Sequence, residues 1–108
     1  MRVGNVWLVK FPFEDNKNRH SYRPVVILDV EKLRVLSVKV TKHEERDEYD
    51  TPIIYWEHAK LKMKSTARVS KTIYLDKNDF EYKIGQLYKD DLKMIQTLYM
   101  EYVLNESK

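Results

Sequence analysis

The sequence predicts a mainly β fold of the α+β kind, a small β-barrel followed by one C-terminal helix. Three observations lead there. Apolar, β-branched and aromatic residues gather in four or five short runs, polar loops separate those runs, and only beyond residue 88 does the apolar period lengthen to that of a helix. With 108 residues the chain reads as one domain, 1–108, large enough for a single modest core and too small for a second lobe or a built-in inhibitor.

Val3, Val6, Leu8 and Phe11, set among Trp7, Val9 and Lys10, predict an opening strand that Pro12 ends because it lacks a ladder donor. Residues 13–22 are polar and without period, and predict a mobile flap. Arg23 to Val30 has the composition of a second strand, with Pro24 tolerated at its start. Glu31 and Lys32 then give a tight reversal into a third strand over 33–41, whose even-numbered face turns apolar toward its end. A charged loop over 42–50 precedes a short strand over 51–55, a mixed connector, and a long β-rich run over 65–75. In the last part Leu92, Ile95, Leu98, Tyr99 and Tyr102 recur at helical spacing. Asp90 and Asp91 stand in the first turn, where the helix dipole favours acids, and Tyr88 or Lys89 occupies the cap in place of Ser, Thr or Asp.

The formal net charge is +3, and its distribution is more informative than its size. From His58 to Leu75 the chain carries Lys60, Lys62, Lys64, Arg68 and Lys71 with no acid; from Asn16 to Leu28 it carries Lys17, Arg19, His20 and Arg23, again with none. Two such stretches can form one surface for a polyanion, or can solvate loops and outward strand faces. There is no cysteine, which removes disulfides, thiolate metal sites and cysteine nucleophiles. The N-terminus has no apolar signal core and no run is long enough to span a bilayer, so the expected setting is soluble and cytoplasmic with no membrane partner.

Cofactor and metal chemistry finds little support in these residues. His20, His43 and His58 are scattered without helical ligand spacing, and the carboxylates of 44–50 are interrupted by Arg46 and lack a glycine for a calcium turn, so that cluster reads as a solvated loop. Gly4 and Gly85 are the only glycines, too few for a phosphate-cradling loop. The expectation is no metal and no cofactor. RNA cleavage needs neither, because the substrate brings its own 2′-hydroxyl nucleophile. The protein then has only to align that oxygen, stabilise charge growing on phosphorus and handle two protons. A guanidinium suits the charge, a threonine hydroxyl can hold a phosphate oxygen, and an imidazole can carry a proton. Arg23, where the flap meets the second strand, and Thr41, ending the third beside Lys42 and His43, are the candidates; taken alone, residues of these types at such places are more often structural.

The order Gly4-Asn5 opening a strand, Phe11-Pro12-Phe13 closing it, a polar flap, Arg23-Pro24-Val25-Val26-Ile27-Leu28, Val40-Thr41, Ser65-Thr66-Ala67-Arg68-Val69-Ser70-Lys71 and Ile84-Gly85-Gln86-Leu87 before a final helix resembles the PemK/MazF toxin family over nearly the whole chain. The resemblance implies an SH3-like barrel with a C-terminal helix, a homodimer, and a metal-independent endoribonuclease acting on single-stranded RNA and leaving a cyclic phosphate. It also implies a cognate antitoxin whose disordered, often acidic tail fills the RNA groove, with operator DNA met only as the toxin–antitoxin complex. Carried over by position, Arg23 and Thr41 match the family's catalytic arginine and threonine, and Arg68 an arginine used catalytically in some members. Asn5 stands where aspartate is common, Lys42 where serine often follows the threonine, and Ser70 where those members have a catalytic aspartate. Lys17, Arg19, His20, Tyr22, Lys42, His43 and Tyr49 are the expected RNA contacts, the tyrosines by stacking on bases. Two alternatives stay open on the same fold: a non-enzymatic poison of DNA gyrase, and a catalytically silent nucleic-acid-binding module.

Overall fold

The structure, a computed structural model, describes residues 1–16 and 18–107. Its elements are β1 (Asn5–Pro12), β2 (His20–Val30), β3 (Arg34–Thr41), β4 (Asp50–Pro52), β5 (Thr66–Asp76), β6 (Phe80–Gln86) and α1 (Lys89–Glu106), with a single 3-10 turn at Lys77–Asp79. The strands form one antiparallel sheet in the order β4-β5-β3-β2-β1-β6. The mainly β class with a terminal helix is therefore observed, but the sheet is not closed by hydrogen bonds: β4 and β6 remain its edges. The connector between β4 and β5 packs onto the β6 edge instead. It lies so close to Gly85 that a Cβ there would collide with the Ala59 carbonyl.

Both faces of the middle strands are covered. Val6, Val26, Val38, Val40, Ala67 and Val69 pack with Ile95 of α1 in the main core, while Val9, Phe11, Val25 and Leu75 form a second cluster, packed by Trp7, Ile73 and Phe80. This is why the expected alternation along the third strand fails. Val35, Leu36, Ser37 and Val38 are buried in succession, and the registers of β3 with both β2 and β5 shift near Ser37, whose hydroxyl donates to the Val35 carbonyl at 2.9 Å.

Three boundaries depart from expectation for local reasons. β2 begins at His20, which pairs with Pro12, so the flap shrinks to residues 13–19, tied at its ends by the Phe13 amide donating to the Arg19 carbonyl at 3.0 Å. Pro24 is tolerated well inside β2 because β3 joins only from Val25, leaving Pro24 with one strand neighbour. β4 stops at Pro52, since the amides of Ile54 and Tyr55 donate to the Asp91 carboxylate of α1 at 3.0 and 2.8 Å and not to a strand. β6 went unrecognised in the sequence. Phe80, Tyr82 and Ile84 do alternate with Glu81, Lys83 and Gly85, but an edge strand that buries little carries a weak apolar signal.

Asp91 is 5 % exposed, so its place in the first turn serves more than the dipole: it bolts the helix to the connector. Tyr88 caps α1 without a side-chain hydrogen bond. Among the described residues no helix is long and apolar enough to cross a membrane.

Candidate nucleic-acid interface

The sheet register sets the cations. Directly paired residues of antiparallel strands share a face. Val9 pairs with Arg23, Val25 with Lys39, and Lys39 with Arg68, which puts Arg23, Lys39 and Arg68 on the side of Phe11 and Val25, away from α1. Arg23 lies two residues before the first β2–β3 pair, Val25↔Lys39, and Thr41 two residues after it at the end of β3, and both line one cleft. Arg23 Nε donates to Ser21 Oγ at 3.2 Å, and burial pushes its guanidinium below the ordinary value. Thr41 is 8 % exposed and its hydroxyl oxygen accepts from the His43 amide at 3.3 Å, which turns the chain sharply out of the strand.

Around this strand end lies a cleft of about 540 Å³. Leu8, Pro24, Val40 and Ile84 give it an apolar floor, and the connector supplies Lys60, Leu61, Lys62 and Met63 along one wall. Tyr22 and Tyr82, both more than half exposed, stand on β2 and β6, with Lys42, His43, Lys83, Arg23, Thr41 and Ser65 completing the lining. Among the described residues no carboxylate lines this cleft. A second cleft of about 480 Å³ shares Lys42, His43 and Ser65 with it but includes Glu44 and Glu45. Uncompensated positive charge beside two accessible aromatic rings suits a single-stranded polyanion in the first cleft, whereas the carboxylates of the second oppose one.

Lys60 is the sole non-glycine residue with positive φ among those described, at 63°. The amides of Lys60 and Leu61 donate to the carbonyls of Glu57 and Trp56, both at 3.0 Å, the pattern of a helical turn closed by a left-handed residue, where glycine is the usual occupant. The chain keeps a lysine on the cleft wall at some backbone cost.

Arg68 is held apart from the cleft. Its Nε lies 3.1 Å from Asp50 and one terminal nitrogen 3.1 Å from Asp47, and it is 9 % exposed. Burial works against its charge, but Asp50 and Asp47 outweigh burial and hold the guanidinium above its ordinary value. Asp47 feels desolvation most, yet the Tyr49 amide and Arg68 leave its carboxyl below the usual range. The acidic loop that read as solvated thus supplies two anchors for a buried arginine. Ser70 Oγ reaches Asp47 at 3.3 Å.

Of the expected RNA contacts, Tyr22, Lys42 and His43 meet in the cleft with Arg23 and Thr41. Arg19 sits with its guanidinium 5.2 Å from the Phe13 ring centroid, and His20 is exposed at the start of β2; neither lines the cleft. Tyr49 packs edge-on against Tyr102 at 5.0 Å between ring centroids, and its hydroxyl accepts from Asn105 at 2.7 Å, so it belongs to the seat of α1. Lys17 lies outside the described residues. Lys39, Tyr82 and Lys83 carry no sequence signal that marks them as site residues, and Lys60 and Lys62 stand out only as part of a basic stretch. Tyr82 and Lys83 fall on the unrecognised strand β6; Lys39 looks like an outward lysine in an alternating strand.

Comparison with known proteins bears on the fold and the family. No curated protein sequence matches the chain. Among solved structures, an endoribonuclease in complex with its cognate antitoxin from Mycobacterial species superposes with a TM-score of 0.72 at 11% identity, covering 93% of this chain and 91% of that one. The Mycobacterium tuberculosis toxin MazF-mt6 gives 0.72 at 16% identity, covering 90% and 93%. The MazE-MazF structure from Deinococcus radiodurans gives 0.66 at 15%, covering 94% and 91%. At such identities the likeness is one of fold. The family model of the PemK-like, MazF-like toxins of type II toxin-antitoxin systems matches residues 2–102, and the chain belongs to that family.

Proposed function

We propose that this protein is a toxin that cleaves single-stranded RNA by attack of the RNA's own 2′-hydroxyl, without a metal or other cofactor, and that a cognate antitoxin neutralises it. The observation that carries the reading is the cleft with Arg23 and Thr41 at its edge, lined by Lys42, His43, Lys60, Lys62 and Lys83 and, among the described residues, by no carboxylate. In the reaction the 2′-oxygen forms a bond to phosphorus as the bond from phosphorus to the 5′-oxygen breaks. The 2′-proton passes to a base and a proton reaches the departing 5′-oxygen, leaving a cyclic phosphate and a 5′-hydroxyl. Arg23 is assigned to the charge on the phosphoryl oxygens, where its partial burial strengthens the interaction. Thr41 is assigned to holding one of those oxygens. His43, lining the same cleft, supplies an imidazole for proton transfer. Arg68, already bound by Asp50 and Asp47, is assigned to positioning β4 against β5 beside the site.

The same surplus of positive charge suits the acidic tail of an antitoxin, and two of the matched structures contain an antitoxin or MazE chain. In this reading residues 1–108 act as one domain in the cytoplasm, as a homodimer, and reach operator DNA only together with the antitoxin. The test is incubation of purified protein with mixed-sequence single-stranded RNA in EDTA beside an Arg23→Ala variant. Fragments with 5′-hydroxyl and cyclic phosphate ends from the native protein, and none from the variant, support the reading. Intact RNA from folded, antitoxin-free protein overturns it, and gyrase inhibition by that same protein identifies a protein poison.

A further inference from the structure

We propose that Lys39 is a phosphate-binding residue that works beside Arg23, on the sheet face reached by RNA as it passes over the end of β3. The proposal deepens the ribonuclease reading and rests on it. Lys39 projects from β3 between two arginine positions, paired with Arg68 on β5 and, through Val25, lying diagonally from Arg23 on β2. Its Nζ stands 5.6 Å from the centroid of the Phe11 ring, which fixes the stem over the second apolar cluster. Among the described residues its ammonium has no carboxylate partner and no hydrogen-bond acceptor.

The neighbouring charges make that vacancy informative. Arg68 is neutralised by Asp50 and Asp47, and Lys71 holds Glu14 at 2.9 Å. Glu14 is the acid whose charge reaches Lys39, and it is already bound; the remaining influences, Arg23, Arg68 and Lys71, are cationic. Partial burial, and then Arg23, push the Lys39 ammonium below its ordinary value. Two half-buried cations on one face, Arg23 with only a serine and Lys39 with only an aromatic ring, cost stability until an anion comes between them. A phosphodiester supplies that anion. Bases stacked between Tyr22 and Tyr82 in the cleft would leave the backbone to cross at Thr41, where the two faces meet.

The experiment compares native protein with Lys39→Met, which keeps the stem without the charge, and Lys39→Arg, which keeps the charge. Each is measured for kcat and KM on a cleavable RNA, and for affinity over a range of salt on the same sequence with 2′-deoxy substitution throughout. The expected result is that Lys39→Met lowers kcat/KM by about 10-fold to 100-fold and flattens log Kd against log salt by about 0.7, the slope carried by one single-strand phosphate contact. Lys39→Arg should restore both to within a few-fold and move the alkaline fall of the rate to higher pH, which packing alone would not do. Native kcat/KM and salt slope in a folded Lys39→Met variant overturn the proposal. If native protein binds the analogue yet cleaves no RNA, cleavage falls while the salt slope still decides Lys39; if it binds neither, both readings fall.

Discussion

Arg68 and Asp50 are direct partners across the β4–β5 ladder, and their side chains repeat the pairing: Arg68 Nε lies 3.1 Å from one carboxylate oxygen of Asp50 and 3.3 Å from the other. Asp50 is 6 % exposed and Arg68 9 %, so each charge is out of water only because the other is there. The loop from 42 to 49 is drawn into the same contact. The Arg46 amide donates to Asp50 at 2.8 Å, and Asp47 reaches the far side of the guanidinium. Arg68, an expected catalytic residue by resemblance, thus also anchors the three-residue strand β4.

Removing one partner should therefore be costly. Asp50→Ala is expected to lose about 3–5 kcal/mol in chemical denaturation, because the guanidinium stays buried with only the partly exposed Asp47 beside it. The double variant Asp50→Leu with Arg68→Met should recover much of that loss. Equal stability of Asp50→Ala and native protein would show that water reaches Arg68.

Asp47 gives the same network a pH dependence. Its folded carboxyl lies below the ordinary 3.8, so its contribution is fully present above that value and is lost as pH falls through the lower folded value. Acid titration of stability should show a steeper decline below about pH 4 in native protein than in Asp47→Asn. Because Asp47 is more than a third exposed, the difference should be small and should shrink further in high salt.

Asp91 ties α1, through the amides of Ile54 and Tyr55, to the connector that further on supplies one wall of the cleft. Asp91→Ala leaves those donors without their partner and should cost about 1–3 kcal/mol. Asp91→Asn, keeping one acceptor oxygen, should cost less. Hydrogen exchange at Ile54 and Tyr55 should rise in both variants ahead of the strand amides.

Lys60 should trade stability for binding. Its left-handed backbone costs about 1–2 kcal/mol for a residue with a Cβ, so Lys60→Gly should melt no lower than native protein and is expected to melt higher. The same change removes a cation from the cleft wall and should weaken RNA binding at every salt concentration. Tighter or unchanged RNA binding in Lys60→Gly would remove it from the interface.

Much of this was legible from residue order, for reasons that can be named. Strands buried on both faces, such as Val25 to Leu28, announce themselves as apolar runs, and α1 shows its period through Leu92, Ile95 and Tyr99. Arg23 and Thr41 could be paired because they stand at the ends of such strands. What sequence left hidden depends on third parties. The end of β4 is decided by Asp91, 36 residues on from Tyr55; the fate of Arg68 by acids in a loop that looked solvated; and the seat of Tyr49 by Tyr102 and Asn105. The edge strand β6 gained its identity only by pairing with β1. Lys39 became visible once the register showed which charges flank it.

Cleavage of one RNA whose cut site has been mapped, against the same RNA with a single 2′-deoxy nucleotide on the 5′ side of that bond, both in EDTA, decides whether the 2′-hydroxyl is the nucleophile. The first is expected to be cut to a cyclic phosphate and a 5′-hydroxyl while the second binds with similar affinity and stays whole at that bond. Cleavage of the deoxy-substituted bond, or loss of all cleavage in EDTA with recovery on adding a divalent ion, would contradict metal-free attack by the 2′-hydroxyl.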